Sequence, residues 1–129
     1  MNFNLSQIIV ILLVIVLIIF LYYAYTYAMN SPHRISSEVA KELLQNGKID
    51  LVLDVRTNLE RNTLGYYPGS VHIPSSDLEK RMPFEYPDKN INILAYCNSG
   101  QRARIATEKL HELGYNNSAY IASTYGTLL

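Results

Sequence analysis

Cysteine occurs once in the 129 residues, at Cys97. No internal disulfide can form, which excludes a cysteine-stapled secreted scaffold. Net charge is also missing: 11 Lys and Arg stand against 11 Asp and Glu. Without a basic excess there is no electrostatic footprint for nucleic acid, and none is expected as a partner. The three histidines, His33, His72 and His111, are far apart and lack metal-ligand spacing, so no metal is expected. No cofactor motif, internal repeat or low-complexity stretch appears in the charged part of the chain.

The most informative absence is of charge at the beginning. No Asp, Glu, Lys or Arg precedes Arg34, and Ile8 to Leu21 is an unbroken run of fourteen Ile, Leu, Val and Phe residues. As a helix those fourteen cover about 21 Å, short of the roughly 30 Å of bilayer hydrocarbon. Extension through Met29 gives about 33 Å, which suffices. Tyr22, Tyr23, Tyr25 and Tyr27 at one end suit an interfacial belt. A buried core helix would show a polar face, and a cleaved signal would carry a basic start and a shorter core. The segment is therefore expected to be a membrane anchor. The organisation expected is a tail over 1–7, a transmembrane helix over 8–29, a polar linker over 30–35 and a folded domain over 36–129. Arg34, Lys41 and Lys48 follow the span closely, which places the domain on the cytoplasmic side of a single-pass topology.

Within the domain, short apolar runs alternate with helical patterns. Leu51–Val55, Ser70–Ile73, Ile91–Tyr96 and Ser118–Ala122 read as strands. Helices are expected after Ser36, over Thr57–Leu64 and over the Ala103, Ala106, Leu110 and Leu113 face, and a helical turn over Asp77–Met82. Pro83 and Pro87 are expected to bracket a loop. This alternation predicts a small α/β domain with a central parallel sheet.

"AYCNSGQRA" (Ala95–Ala103) puts the lone thiol at a strand's carboxyl end, where open parallel sheets bind ligands. A tight loop ahead of a helix aims backbone N–H groups inward, which favours thiolate over thiol and makes a nucleophile. Gly100 lets the loop close, and Arg102 adds positive charge. The bland alternative is a small buried hydrophobe at a strand end.

The neighbouring segments resemble the rhodanese family of sulfurtransferases. "LVLDVRT" with Glu60 is similar to that family's opening strand and helix, and "GYYPGSVHIP" to its glycine-histidine-isoleucine-proline-glycine segment. "YCNSGQRA" is similar to its Cys-x-x-Gly-x-Arg loop, and "ATEKLHELGY" to the helix that follows. Tyr66 stands where the family usually has His, and "STYGTLL" stands where it commonly has two glycines and a further helix. That closing segment usually walls the active site, so the pocket is expected to differ. The resemblance implies a three-layer domain, with Cys97 carrying sulfur as a persulfide from a thiosulfate-like donor to a thiol or cyanide acceptor, a protein thiol included. It implies that the N–H groups of Asn98, Ser99, Gly100, Gln101 and Arg102 cradle that sulfur, with Arg102 either reading the donor's charge or bracing the loop. Asp54, Arg56 and Glu60 read as structural support. The Cys-x4-Arg spacing is shorter than the Cys-x5-Arg of related phosphatases and arsenate reductases, which favours sulfur transfer over phosphate chemistry. The remaining rival is a catalytically idle binding module at a membrane.

Overall fold

The computed structural model describes residues 2–129. Helix α1 (Leu5–Met29) begins three residues before the expected span, because a capping box starts it early. The Asn4 side chain accepts from the Gln7 N–H, and the Gln7 side chain accepts from the Asn4 N–H, so two orphan donors are satisfied. Apart from its C-terminal turns, α1 is exposed along its whole length. It is long and apolar enough to cross a membrane.

The remaining elements form the domain. They are α2 (Ser37–Gln45), β1 (Leu51–Asp54), α3 (Asn58–Leu64), β2 (Val71–His72), α4 (Leu78–Glu85), β3 (Ile93–Tyr96), α5 (Gln101–Glu112) and β4 (Ser118–Tyr120). Two 3-10 turns, Ser75–Asp77 and Tyr125–Leu128, complete the chain. All four strands are parallel, in the order β2-β1-β3-β4.

Both faces of the sheet are covered, which explains why β1 and β3 read as continuous apolar runs. Leu51, Leu53, Ile93, Ala95 and Cys97 face Leu78, Met82, Ala106 and Leu110 on the α4/α5 side. Val52, Leu94 and Tyr96 alternate to the other side, against Ala40, Ile121 and Leu128.

Two expectations are corrected in detail. Pro83 lies inside α4, which runs on to Glu85 and ends where the Tyr86 N–H donates to the Met82 carbonyl. The segment expected as a polar linker pairs with the sheet: Tyr120 N–H donates to the His33 carbonyl and Ile35 N–H to the Tyr120 carbonyl. Backbone groups beside an uncovered edge strand need partners, and His33–Ile35 supplies them to β4.

The strand order reverses direction between β1 and β3. Such a switch point leaves a crevice outside the carboxyl ends of the two strands. Register brings Asp54 opposite Tyr96, so the residues that follow each strand, Arg56 and Cys97–Asn98, flank that crevice.

Candidate active site

Cys97 leaves β3 on the α5 side of the sheet, with 1% of its surface exposed. The chain then turns through Asn98 and Ser99 to Gly100, whose φ of 109° starts α5. A residue with a side chain is strained in that conformation. It would also collide, since a Cβ at Gly100 would lie 2.8 Å from the Ala122 Cα and 3.0 Å from the Ala28 Cβ. Glycine is thus required here for both shape and space. The turn directs two N–H groups at the Cys97 sulfur, from Gly100 at 3.1 Å and Ala103 at 3.4 Å. Backbone donors fixed in this way stabilise negative charge on sulfur without having to reorganise.

A polar network braces the loop from the β1 side. Both oxygens of Glu60 receive the Arg102 guanidinium, at 2.6 and 2.8 Å. Glu60 Oε2 also accepts from the Asn98 side-chain amide at 2.7 Å, and Asn98 Oδ1 accepts from Arg56 at 3.3 Å. The Arg102 guanidinium, with the hydrogen bonds from Thr57, pulls the Glu60 carboxyl down to about 2. Thr57 and Glu60 form the capping box of α3, so one glutamate both starts that helix and holds the cysteine loop.

Beneath the loop lies Asp54, wholly buried. It accepts from the Arg56 backbone N–H and guanidinium, from Arg61 at 3.1 Å and from the Tyr96 hydroxyl at 3.0 Å. Burial works against its ionised form, and the hydrogen bonds from Arg56 and Tyr96 outweigh it, holding the carboxyl below its ordinary value. Burial and the neighbouring Asp54 push the Tyr96 hydroxyl up. It stays a neutral donor. The Arg56 guanidinium lies beside Tyr96 and Tyr125, 5.3 and 5.6 Å from their ring centroids. A groove of about 370 Å³ opens there, lined by Arg56, Leu64, Asn98, Thr124, Tyr125 and Gly126.

All nine residues singled out in the sequence, Asp54, Arg56, Glu60, Cys97, Asn98, Ser99, Gly100, Gln101 and Arg102, gather at this edge. Their roles in the geometry differ. Ser99 is exposed and donates to Gln101, while Gln101 turns away from the sulfur and donates to the Ala24 carbonyl of α1. Sequence reasoning did not find the Ala103 N–H, the Tyr96 hydroxyl, Arg61 or the end of α1. Arg61 and the end of α1 reach the site from other elements, and Tyr96 meets Asp54 across the β1–β3 register, so no local signal in the sequence marked them. Among the described residues, no cluster of three His, Cys, Asp or Glu side chains is placed to hold a metal.

The Glu60 contacts make a pH prediction. A carboxyl at about 2 in the fold and 4.5 unfolded contributes stability that is fully present above 4.5 and is lost as pH falls through about 2. Glu60→Gln should therefore be less stable than wild type at pH 6, with the gap closing between pH 4.5 and 2. Denaturant midpoints across that range, in detergent, check this. A constant gap would mean that Glu60 acts through packing alone.

Comparison with known proteins agrees with this geometry. Residues 36–124 match the rhodanese-like domain family. The chain is 34% identical over 65 residues to the thiosulfate sulfurtransferase PspE of Escherichia coli K12, a match covering 50% of this chain and 62% of that protein. It is 27% identical over 104 residues to thiosulfate sulfurtransferase/rhodanese-like domain-containing protein 3 of mouse, covering 72% of this chain and 66% of that one. The chain thus spans a little under two thirds of the length of these relatives. Among solved structures, the human single-domain sulfurtransferase TSTD1 superposes with a TM-score of 0.66 at 26% identity, over 75% of this chain and 95% of that one. With the family match covering the whole region that builds the cysteine loop and its braces, the chain belongs to the rhodanese-like domain family.

Proposed function

We propose that the protein is a membrane-anchored sulfurtransferase that carries sulfur on Cys97. The observation that carries this reading is the pair of N–H groups, from Gly100 and Ala103, aimed at the one thiol from a loop at the switch point of the sheet. The Cys97 thiolate attacks the outer sulfur of a thiosulfate-like donor. A sulfur–sulfur bond forms as the donor's own breaks, and sulfite leaves with the electron pair. An acceptor thiolate or cyanide then attacks the terminal sulfur, and Cys97 departs as thiolate. The loop donors stabilise the anionic persulfide between the two steps. No cofactor enters either step.

Arg102 has both guanidinium ends occupied by Glu60, so its role is to brace the loop rather than to read the donor's charge. Arg102→Ala should slow sulfur uptake from thiosulfate and from an uncharged donor by the same factor, about tenfold. A loss confined to thiosulfate would return Arg102 to the substrate.

The anchor is α1, expected over residues 8–29, with its aliphatic run Ile8–Leu21 in the bilayer, its last two turns docked on the domain, and the domain over 36–129 on the cytoplasmic side. Its exposed aliphatic surface and the cluster of Arg34, Lys41 and Lys48 support this topology.

The decisive experiment is intact-protein mass spectrometry after thiosulfate treatment. One sulfur, about 32 Da, should appear and be removed by cyanide or dithiothreitol. A second reading, an idle binding module, draws on the burial of Cys97. Absence of an adduct with thiosulfate, mercaptopyruvate and persulfide donors would select it.

A further inference from the structure

The last two turns of α1 are built into the edge that holds Cys97. The final carbonyls of a helix have no donor of their own. Here Arg104 donates to the Tyr27 carbonyl at 2.6 Å, the Tyr120 hydroxyl to that of Ala28, and Arg34 to that of Met29 at 3.0 Å. Gln101 adds a bond to the Ala24 carbonyl at 3.1 Å, and the Arg104 guanidinium lies 3.9 Å from the Tyr27 ring centroid. Ala28 is buried against Gly100.

The order of these contacts gives a direction. Ala24 and Ala28 meet Gln101 and Gly100 at the start of α5, Tyr27 meets Arg104 one turn on, and beyond the turn His33 stacks on His111 with centroids 3.9 Å apart. The chain therefore advances along α5 from its first turn toward its last. Since α5 begins at the carboxyl edge of the sheet, the exposed part of α1 leaves the domain on the Cys97 side. Its aliphatic run ends at Leu21, three residues or about 4.5 Å before Ala24. That distance is within the thickness of one headgroup layer.

We infer that the carboxyl edge of the sheet, with the Cys97 loop and α3, rests against the bilayer surface, so that sulfur is exchanged in the lipid headgroup layer. This rests on the anchor reading. Leu59 and Leu64 of α3 lie on that edge with 71% and 56% of their surfaces exposed, as side chains meeting an interface rather than water. Phe84 is more exposed than either, at 88%, but it sits at the end of α4 beside Tyr86, whose carbonyl accepts from Tyr115 past the far end of α5. It marks the edge that faces away.

The chain contains no tryptophan, so one introduced indole is the sole such fluorophore. Full-length Leu13→Trp, Leu59→Trp, Leu64→Trp and Phe84→Trp proteins would be reconstituted into phosphatidylcholine vesicles carrying brominated lipid. The bromines would be placed either deep in the acyl chains or next to the headgroups. Deep bromines should quench Leu13→Trp, which lies in the middle of the aliphatic run, and shallow bromines should quench both α3 probes at least threefold more than Phe84→Trp. If Leu13→Trp is not quenched, the anchor fails and this inference falls with it. If Leu13→Trp is quenched and the α3 probes do not both exceed Phe84→Trp, the anchor stands and the membrane-facing edge is overturned.

Discussion

A Cys97→Ser protein is expected to take up no sulfur from any donor while still melting as a folded domain. The loss should be complete because a serine hydroxyl stays protonated at neutral pH and cannot form a persulfide. The fold should survive because the site already solvates a polar atom. The N–H groups of Gly100 and Ala103 that now reach the sulfur, at 3.1 and 3.4 Å, can donate to an oxygen instead. The price of the slightly smaller side chain in the α4/α5 core should be about 1 kcal/mol. Mass spectrometry and thermal melting on the same sample separate the outcomes. Loss of the adduct with melting retained identifies a nucleophile. Loss of both would make Cys97 a packing residue and withdraw the mechanism.

Asp54→Ala is expected to be the most destabilising change at this edge. The substitution leaves the Arg56 guanidinium, 1% exposed, with only the Asn98 side chain and the Gly65 carbonyl as acceptors. It also leaves the Tyr96 hydroxyl without its carboxylate. Breaking one side of a buried ion pair costs roughly 3–5 kcal/mol. For a domain of this size that corresponds to a fall in Tm of roughly 12 °C or more. Asp54→Asn keeps one oxygen acceptor and should recover part of the loss. Acidification gives a further check. The depressed Asp54 carboxyl contributes stability that is present above the ordinary carboxylate range and lost on going below it, so the Ala variant should lose less on acidification than wild type. Equal stability of wild type and Asp54→Ala at pH 7 would show that the pair gains nothing over apolar packing.

Much of the fold was legible in the sequence because its strands are buried on both faces. Leu51–Asp54 and Ile93–Tyr96 announce themselves as apolar runs, and the α5 face repeats with helical period. The local part of the site was equally readable: one thiol, a glycine three residues on and an arginine five on lie within a single loop. What one chain cannot display is convergence across strands. Glu60 and Arg102 are 42 positions apart, as are Asp54 and Tyr96, and only the register of β1 on β3 brings each pair together. The two possible roles of Arg102 stayed open for the same reason, since its partner comes from another element. Residues 30–35 read as a tether because they are polar and contain Pro32. Polarity does not reveal that His33–Ile35 finds hydrogen bonds on β4. The termination of α4 was misplaced because Pro83 was taken as a stop, whereas the helix continues past it to Glu85.

The seating of Ala28 on Gly100 has a mechanical consequence. A 25-residue helix is a rod about 37 Å long, and its domain end is clamped by Gln101, Arg104 and Tyr120. Helices in bilayers tilt to match their apolar length to the local thickness of hydrocarbon. A loose tether would absorb that rotation. In this chain the pivot is the backbone of the cysteine loop, which has no slack, since Gly100 is held between Ala28 and Ala122. In the proposed membrane-anchored state, membrane thickness would therefore enter as a torque on the residues around the Cys97 sulfur, with α1 as the long arm of the lever.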